Sequence, residues 1–424
     1  MVAMVHPDIG AFPWTRKRAS LPDTLQDRSS SRSRLLILAG IVLLYPGFFI
    51  YHSAVALLKI PPVLGGYYGN VCLALFPLLL IFYARAIRTH RIVLTRADAV
   101  FGLLCLYVGC WSLIYWAVGE KYQQDPFLLN QSVSILVLWG VNYMLFRDFT
   151  AIGRGGRWVL IFSLALMLAI AFVNQQNGFF YAKEIAGRYN EEEIASYQGF
   201  ARSALVTSMM LLANGSRRSV LWIFGISLIL LFVLGARSEF LGFLAVGLLV
   251  MNIRFGSARF NWLIMSVLLV ALAITADWVV TAFDNTRIVH LLDYQDDTSF
   301  QSRELLNDAA WKSIANSPLL GDYGSYLVTN GVGKYAHNAL SAWVDYGLIG
   351  FFGFIYLIFR SLIKAWGALP LNKHLASEQT ILCLSLALYC VIIAITAKSV
   401  QDPIYATAWG IAGGVLVRRT STIY

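Results

Sequence analysis

Runs of about twenty apolar residues recur along this chain and constrain its fold more than any other feature. Wound as a helix, such a run covers the ~30 Å of hydrocarbon in a bilayer. Hydrophobic residues make up 58% of the 424 and charged residues only 13%, a mixture foreign to soluble domains. Twelve candidate spans can be placed, at 35–52, 67–84, 98–118, 129–146, 158–173, 200–213, 219–235, 239–252, 261–282, 347–364, 378–397 and 403–417. A helix satisfies every backbone hydrogen bond within its own segment, which hydrocarbon demands. The expected fold is therefore an all-α polytopic membrane protein with about 12 transmembrane helices.

Basic residues set the orientation. The N-terminal tail, alternate connections beginning with 85–97, and the C-terminal tail hold 22 of the 33 Lys and Arg, but only 6 of the 23 acids. Both termini are thus expected in the cytoplasm. The net charge of +10 reflects that bias, and nucleic acid is not an expected partner. Residues 1–34, with Arg16-Lys17-Arg18 and the Ser/Arg run 28–34, read as a disordered basic tail near anionic lipid rather than a cleaved signal. The chain then divides into spans one to nine over 35–282, an external loop over 283–346, and spans ten to twelve with a short tail over 347–424. All five cysteines fall inside spans, which argues against disulfides and zinc. No Gly-rich phosphate loop is present, and no cytoplasmic connection is large enough for a nucleotide-binding domain.

Polar sequence concentrates in two external loops, 174–199 and 283–346. In the second, Thr298 and Gln301 fit a capping box, and Leu305, Leu306, Ala309, Ala310 and Ile314 recur at helical spacing. Asn316-Ser317-Pro318 ends that helix. Glycines at 321, 324, 331 and 333 punctuate the loop beyond it, and a short helix is expected from about Asn338 to Gly347. This gives a lid-like module resting on the bundle, with His337 at the N-terminal edge of its last helix.

Four external groups carry chemistry. Arg237, in Gly235-Ala236-Arg237-Ser238-Glu239, lies between two spans with almost no loop. Arg202 lies just inside the span that begins near Gly199. Each can snorkel to lipid phosphate or pair with an acid such as Glu239, but arginine at such depth is costly unless it faces a cavity or a partner. With Arg303, they can grip a diphosphate through planar forks and stabilise it as a leaving group. His337 can take a proton from an attacking hydroxyl. His6, His52 and His290 read as inert, and Asp293, Asp296 and Asp297 as a solvated loop rather than a metal site.

Arg303 with Trp311, Pro318-Leu-Leu-Gly321, His337-Asn338 and Gly347-Leu-Ile-Gly350 resembles the shared C-terminal domain of the O-antigen ligase and O-antigen polymerase superfamily. Gly-Ala-Arg-Ser around Arg237 looks like that family's upstream arginine span. The resemblance covers roughly residues 219–365, and Asp322-Tyr323 departs from it where the family often has another glycine. It implies a GT-C-type glycosyltransferase in the bacterial inner membrane, with a large helical periplasmic loop and no metal or other cofactor. Its implied donor is an undecaprenyl-diphosphate-linked oligosaccharide. The acceptor is a second lipid-linked glycan in a polymerase or lipid A–core in a ligase, and a chain-length regulator protein is a further candidate partner. By the same resemblance Arg237, Arg303 and His337 are the catalytic candidates. Arg202, Asn338, Glu239 and Trp311 are the candidates for substrate contact. The net acidic external face leans the choice toward polymerase. A twelve-span transporter or flippase remains the alternative from a different class, against which the two halves of the chain show no similarity.

Overall fold

In the computed structural model, residues 23–64, 66–89, 92–118, 126–176, 178–186, 196–256, 298–329, 331 and 335–421 are described. Among them the chain is helical, with one isolated bridge between Gln176 and Phe179 in place of any strand. In chain order the helices are α1 Asp23–Val42, α2 Phe48–Leu58, α3 Tyr67–Arg88, α4 Arg96–Val118, α5 Pro126–Arg147 and α6 Gly153–Val173. Next come α7 Ala182–Ala186, α8 Tyr197–Asn214, α9 Arg217–Val233 and α10 Arg237–Phe255. The C-terminal part comprises α11 Thr298–Asn316, α12 Ser325–Thr329, α13 Leu340–Gly367, α14 Glu378–Thr396 and α15 Ile404–Ser421. A π-helical turn at Leu43–Gly47, with Pro46 inside it, joins α1 to α2 without a break.

Eight of the twelve expected spans coincide with helices long and apolar enough to cross a membrane. Three more, 200–213, 219–235 and 403–417, overlap α8, α9 and α15. The ninth, 261–282, lies outside the described residues, as do His6, His290, Asp293, Asp296 and Asp297. Bands of large apolar side chains, among them Leu103, Leu106, Phe162, Trp222, Phe352 and Phe359, stand exposed on the outside of the bundle. A soluble protein does not present such a surface. The molecule is an all-α polytopic membrane protein.

α8 explains why a central helix can be only mildly hydrophobic. Nearly its whole length is buried among other helices, and its small and hydroxyl residues, Ser203, Ala204, Thr207 and Ser208, are fully enclosed. Close packing, not lipid solubility, selects those residues. The same logic governs α15, where a Cβ at Gly410 or Gly414 would overlap the carbonyls of Tyr143 and Arg147 on α5. Trp139 of α5 packs edge-on against Trp409 of α15, ring centroids 5.4 Å apart, and Phe354 of α13 meets Tyr405 at 4.8 Å.

The two ends of the bundle are built differently. At one end, Arg147 Nε lies 2.6 Å from Asp98 Oδ1 in a buried pair that also receives Tyr143 Oη, and Glu378 accepts from Asn214 and the Ile152 amide. At the other end lie Arg202, Glu239, Lys398, Asp402 and the module α11–α12. α8 and α14 run from one end to the other.

Candidate active site at one end of the bundle

The module is fixed to the bundle by backbone, not by side chains alone. The chain leaving α11 enters a break in α13 at Gly347, whose φ of 63° and ψ of −167° lie outside the helical region. There the Leu348 amide donates to the Leu319 carbonyl at 3.1 Å, and the Asp322 amide donates to the Val344 carbonyl at 2.6 Å. Gly321, also at positive φ (74°), packs directly on the Gly347 backbone. A Cβ at either glycine would overlap the backbone of the facing segment, and positive φ disfavours any other residue there. This is why the Pro-Leu-Leu-Gly and Gly-x-x-Gly patterns occur together. Tyr115 Oη and Ser317 Oγ both donate to the Gly321 carbonyl. Beneath α11, Ala310, Ile314, Ala336 and Val344 form a small buried cluster with Leu340 and Trp343 against it.

A second set of ties seats the His337 segment on the end of α14. The Ala339 amide donates to the Ala394 carbonyl at 2.6 Å, and Ser341 Oγ accepts from the Val400 amide at 2.8 Å. Asn338 Oδ1 accepts from the Leu340 amide in the first turn of α13, and its Nδ2 donates to Asn307 Oδ1, each at 3.0 Å. Asn338 thereby links the start of α13 to α11 and fixes the direction of its neighbour His337.

Arg237, at the start of α10, and Arg303, on α11, line one crevice together with Tyr197, Gln198 and Ser238. They are 66 positions apart in sequence and meet because the module folds back onto the α9–α10 turn. Gly235 makes that turn at φ 67°. Arg303 Nη1 reaches the Thr396 carbonyl at the C-terminus of α14 at 3.5 Å, too long to hold the guanidinium firmly. Arg303 and Lys398 are close enough to His337 to disfavour its protonation. Burial first, and then those two charges, bring the imidazole down to about 4. It is therefore neutral at physiological pH. The Tyr335 ring lies 5.2 Å from the His337 ring, and burial raises the Tyr335 hydroxyl above its ordinary value.

Arg202 and Glu239 have partners that sequence reasoning did not name. Arg202 Nη2 lies 2.5 Å from Asp402 Oδ2. Glu239, fully buried, meets Lys398 Nζ at 2.9 Å and accepts from Ser238 Oγ at 2.7 Å. Lys398 Nζ also donates to Gln198 Oε1 at 2.8 Å. These pairs form a charged floor beneath the crevice, and neither Arg202 nor Glu239 is among its lining residues. Trp311 is half exposed, edge-on to Trp343 at 6.4 Å, and also stands outside the crevice. Lys398, Asp402 and Gln198 were missed. The available signal was two opposite charges in the short polar break, residues 398–402, between two strongly apolar helices.

No curated protein matches the chain. Residues 203–355 match the family model described as O-antigen ligase. That stretch contains Arg237, Arg303, His337, Asn338 and the interlocked glycines Gly321 and Gly347, while Arg202 immediately precedes it and Lys398 and Asp402 lie beyond it. Over residues 203–355 the chain is thus similar to the O-antigen ligase family, in agreement with the superfamily that its motifs resemble.

Proposed function

We propose that this protein is a GT-C-type glycosyltransferase of the bacterial inner membrane. It works at the periplasmic face on a glycan carried by undecaprenyl diphosphate, and joins one lipid-linked repeat to another as a surface-polysaccharide polymerase. The observation that carries the reading is the shared crevice of Arg237 and Arg303 beside a neutral, partly buried His337. Two guanidinium forks suit the oxygens of one diphosphate. They gain strength as negative charge develops on the departing phosphate.

In this mechanism the bond between the donor's sugar C1 and the diphosphate oxygen breaks. A bond from the acceptor hydroxyl oxygen to C1 forms, the hydroxyl proton passes to His337, and the diphosphate leaves held by Arg237 and Arg303. A pKa of about 4 makes His337 a weak base in the free protein. A bound diphosphate offsets the charges of Arg303 and Lys398 and raises the basicity of the imidazole when it is needed. Arg202 and Glu239 act as positioning residues through Asp402 and Lys398, and Asn338 through the start of α13. The family description favours a second reading in which the acceptor is lipid A–core and the protein is a ligase. Both readings use the same donor chemistry.

The test is His337→Ala in cells whose surface polysaccharide depends on this protein. Removing a general base costs about 10²–10⁴ in rate, so the polysaccharide ladder is expected to vanish while the protein accumulates normally. A wild-type ladder would remove His337 from the mechanism. Because the arginines supply the positive charge, transfer by the purified protein is also expected to persist in EDTA. Loss in EDTA with recovery on adding Mg²⁺ would contradict this.

A further inference from the structure

The crevice of Arg237 and Arg303 is cationic. A second crevice, of about 320 Å³, adjoins the same loop at Tyr335 and has the opposite character, since none of its lining residues is charged. One wall is a stripe on α5: Phe127, Asn130, Gln131 and Ser134 succeed one another at i, i+3, i+4 and i+7, on a single helix face. The other face of the same turns buries Leu128, Ser132 and Ile135. Carboxamides near the end of a membrane helix are costly against lipid and are kept where they face a polar cavity. Opposite stand Tyr326 and Tyr335, edge to face with ring centroids 5.5 Å apart, and Tyr326 Oη donates to Gln131 Oε1 at 2.7 Å. Gln401, from the break between α14 and α15, completes the lining. Gln401 lies beside the buried Asp345, and its side chain interacts with the Asp345 carboxyl and the Tyr326 hydroxyl.

Amides and tyrosines around an uncharged cleft match the surface of a sugar. Carboxamides exchange hydrogen bonds with hydroxyls in both directions, and aromatic rings offer an apolar face with a polar handle. A phosphate or carboxylate would find no cation here. Tyr335 connects this crevice to His337, because its ring lines the crevice and also contacts the imidazole. A sugar resting on Tyr335 would present a hydroxyl to the imidazole from the side opposite in chemistry to the diphosphate grip. We propose that the crevice between α5, Tyr326, Tyr335 and Gln401 is the acceptor subsite for uncharged sugar residues. This rests on the glycosyltransferase reading and supplies its missing half.

The probe is the phosphate-free repeat oligosaccharide, released from the host's own lipid-linked intermediates by mild acid. Its binding to purified full-length protein is monitored by saturation-transfer NMR. Wild type is expected to bind it, and Asn130→Ala and Gln131→Ala each to weaken binding about tenfold, the size of one lost neutral hydrogen bond. Ser134→Trp, which fills the crevice from an exposed position, is expected to abolish binding, with thermal unfolding unchanged as the control for folding. Arg303→Gln is expected to bind like wild type. Absence of binding to wild type, or wild-type binding by Ser134→Trp, would overturn the proposal. So would loss of binding in Arg303→Gln with retention in Gln131→Ala, which would move the glycan to the cationic crevice. None of these results bears on donor cleavage, whose failure would instead appear as wild-type transfer by the arginine variants.

Discussion

At the scale of single residues, the proposed mechanism separates groups assigned to meet substrate from groups assigned to hold those groups in place. Arg237, Arg303 and His337 were legible in the sequence, because arginines at the edge of apolar spans and a His-Asn pair at the end of a polar loop are unusual enough to single out. The partners of Arg202 and Glu239 were not legible. Asp402 lies 200 positions from Arg202 and Lys398 lies 159 from Glu239, and only tertiary packing brings each pair together. His337 makes a pH prediction. Its folded-state value, about 4, lies below the ~6.5 of an unfolded chain. Its contribution to stability is therefore full above about pH 6.5 and is lost as pH falls toward 4. For activity, the acid limb of kcat/KM, which reports the free enzyme, should lie near pH 4. The limb of kcat should lie higher, because bound diphosphate offsets Arg303 and Lys398. Coincident limbs near ~6.5, the ordinary histidine value, would show that the imidazole does not feel those charges.

At the scale of elements, the informative feature is the interlock of Gly321 with Gly347. The sequence predicts a short helix ending at Gly347 and a new span beginning there. The structure divides the run Leu340–Gly367 at that glycine, whose backbone is not helical, so the short helix and the span that follows meet there. The glycines announced a special backbone, but not that the chain after α11 would dock into it. That docking sets the position of Arg303. Gly347→Ala must accept a positive φ and a clash with the Leu319 carbonyl, so it is expected to cost about 1–3 kcal/mol or more. The expected outcome is a lowered unfolding temperature in detergent and lost transfer. Gly367→Ala, where a Cβ meets open space, is the control and should change little. Equal behaviour of the two would mean that the interlock does not hold the module.

At the scale of the whole molecule, hydropathy found the spans, and charge bias oriented them without reference to any site. α8 shows where hydropathy weakens: a helix enclosed by other helices can be built from Ser, Thr and Ala. The expected orientation puts α11 in the periplasm and the connection after α13 in the cytoplasm. A membrane-impermeant maleimide applied to spheroplasts should label Lys312→Cys but reach Leu371→Cys, at a fully exposed position, only after lysis. The reverse pattern would turn the molecule inside out and place the crevice of Arg237 and Arg303 in the cytoplasm.

The central claim is that Arg237 and Arg303 grip the same diphosphate. A double-mutant cycle on kcat/KM, with purified protein and an undecaprenyl-diphosphate-linked donor, tests it most directly. Lysine keeps the charge at each position but loses the planar fork, so each single Arg→Lys variant should fall by about 10²–10³. If both forks hold one leaving group, the second substitution costs far less than the first, and the double variant is much better than the product of the singles. Losses that simply multiply, or a wild-type rate for either single variant, would contradict a shared diphosphate and leave His337 without its partners in the mechanism.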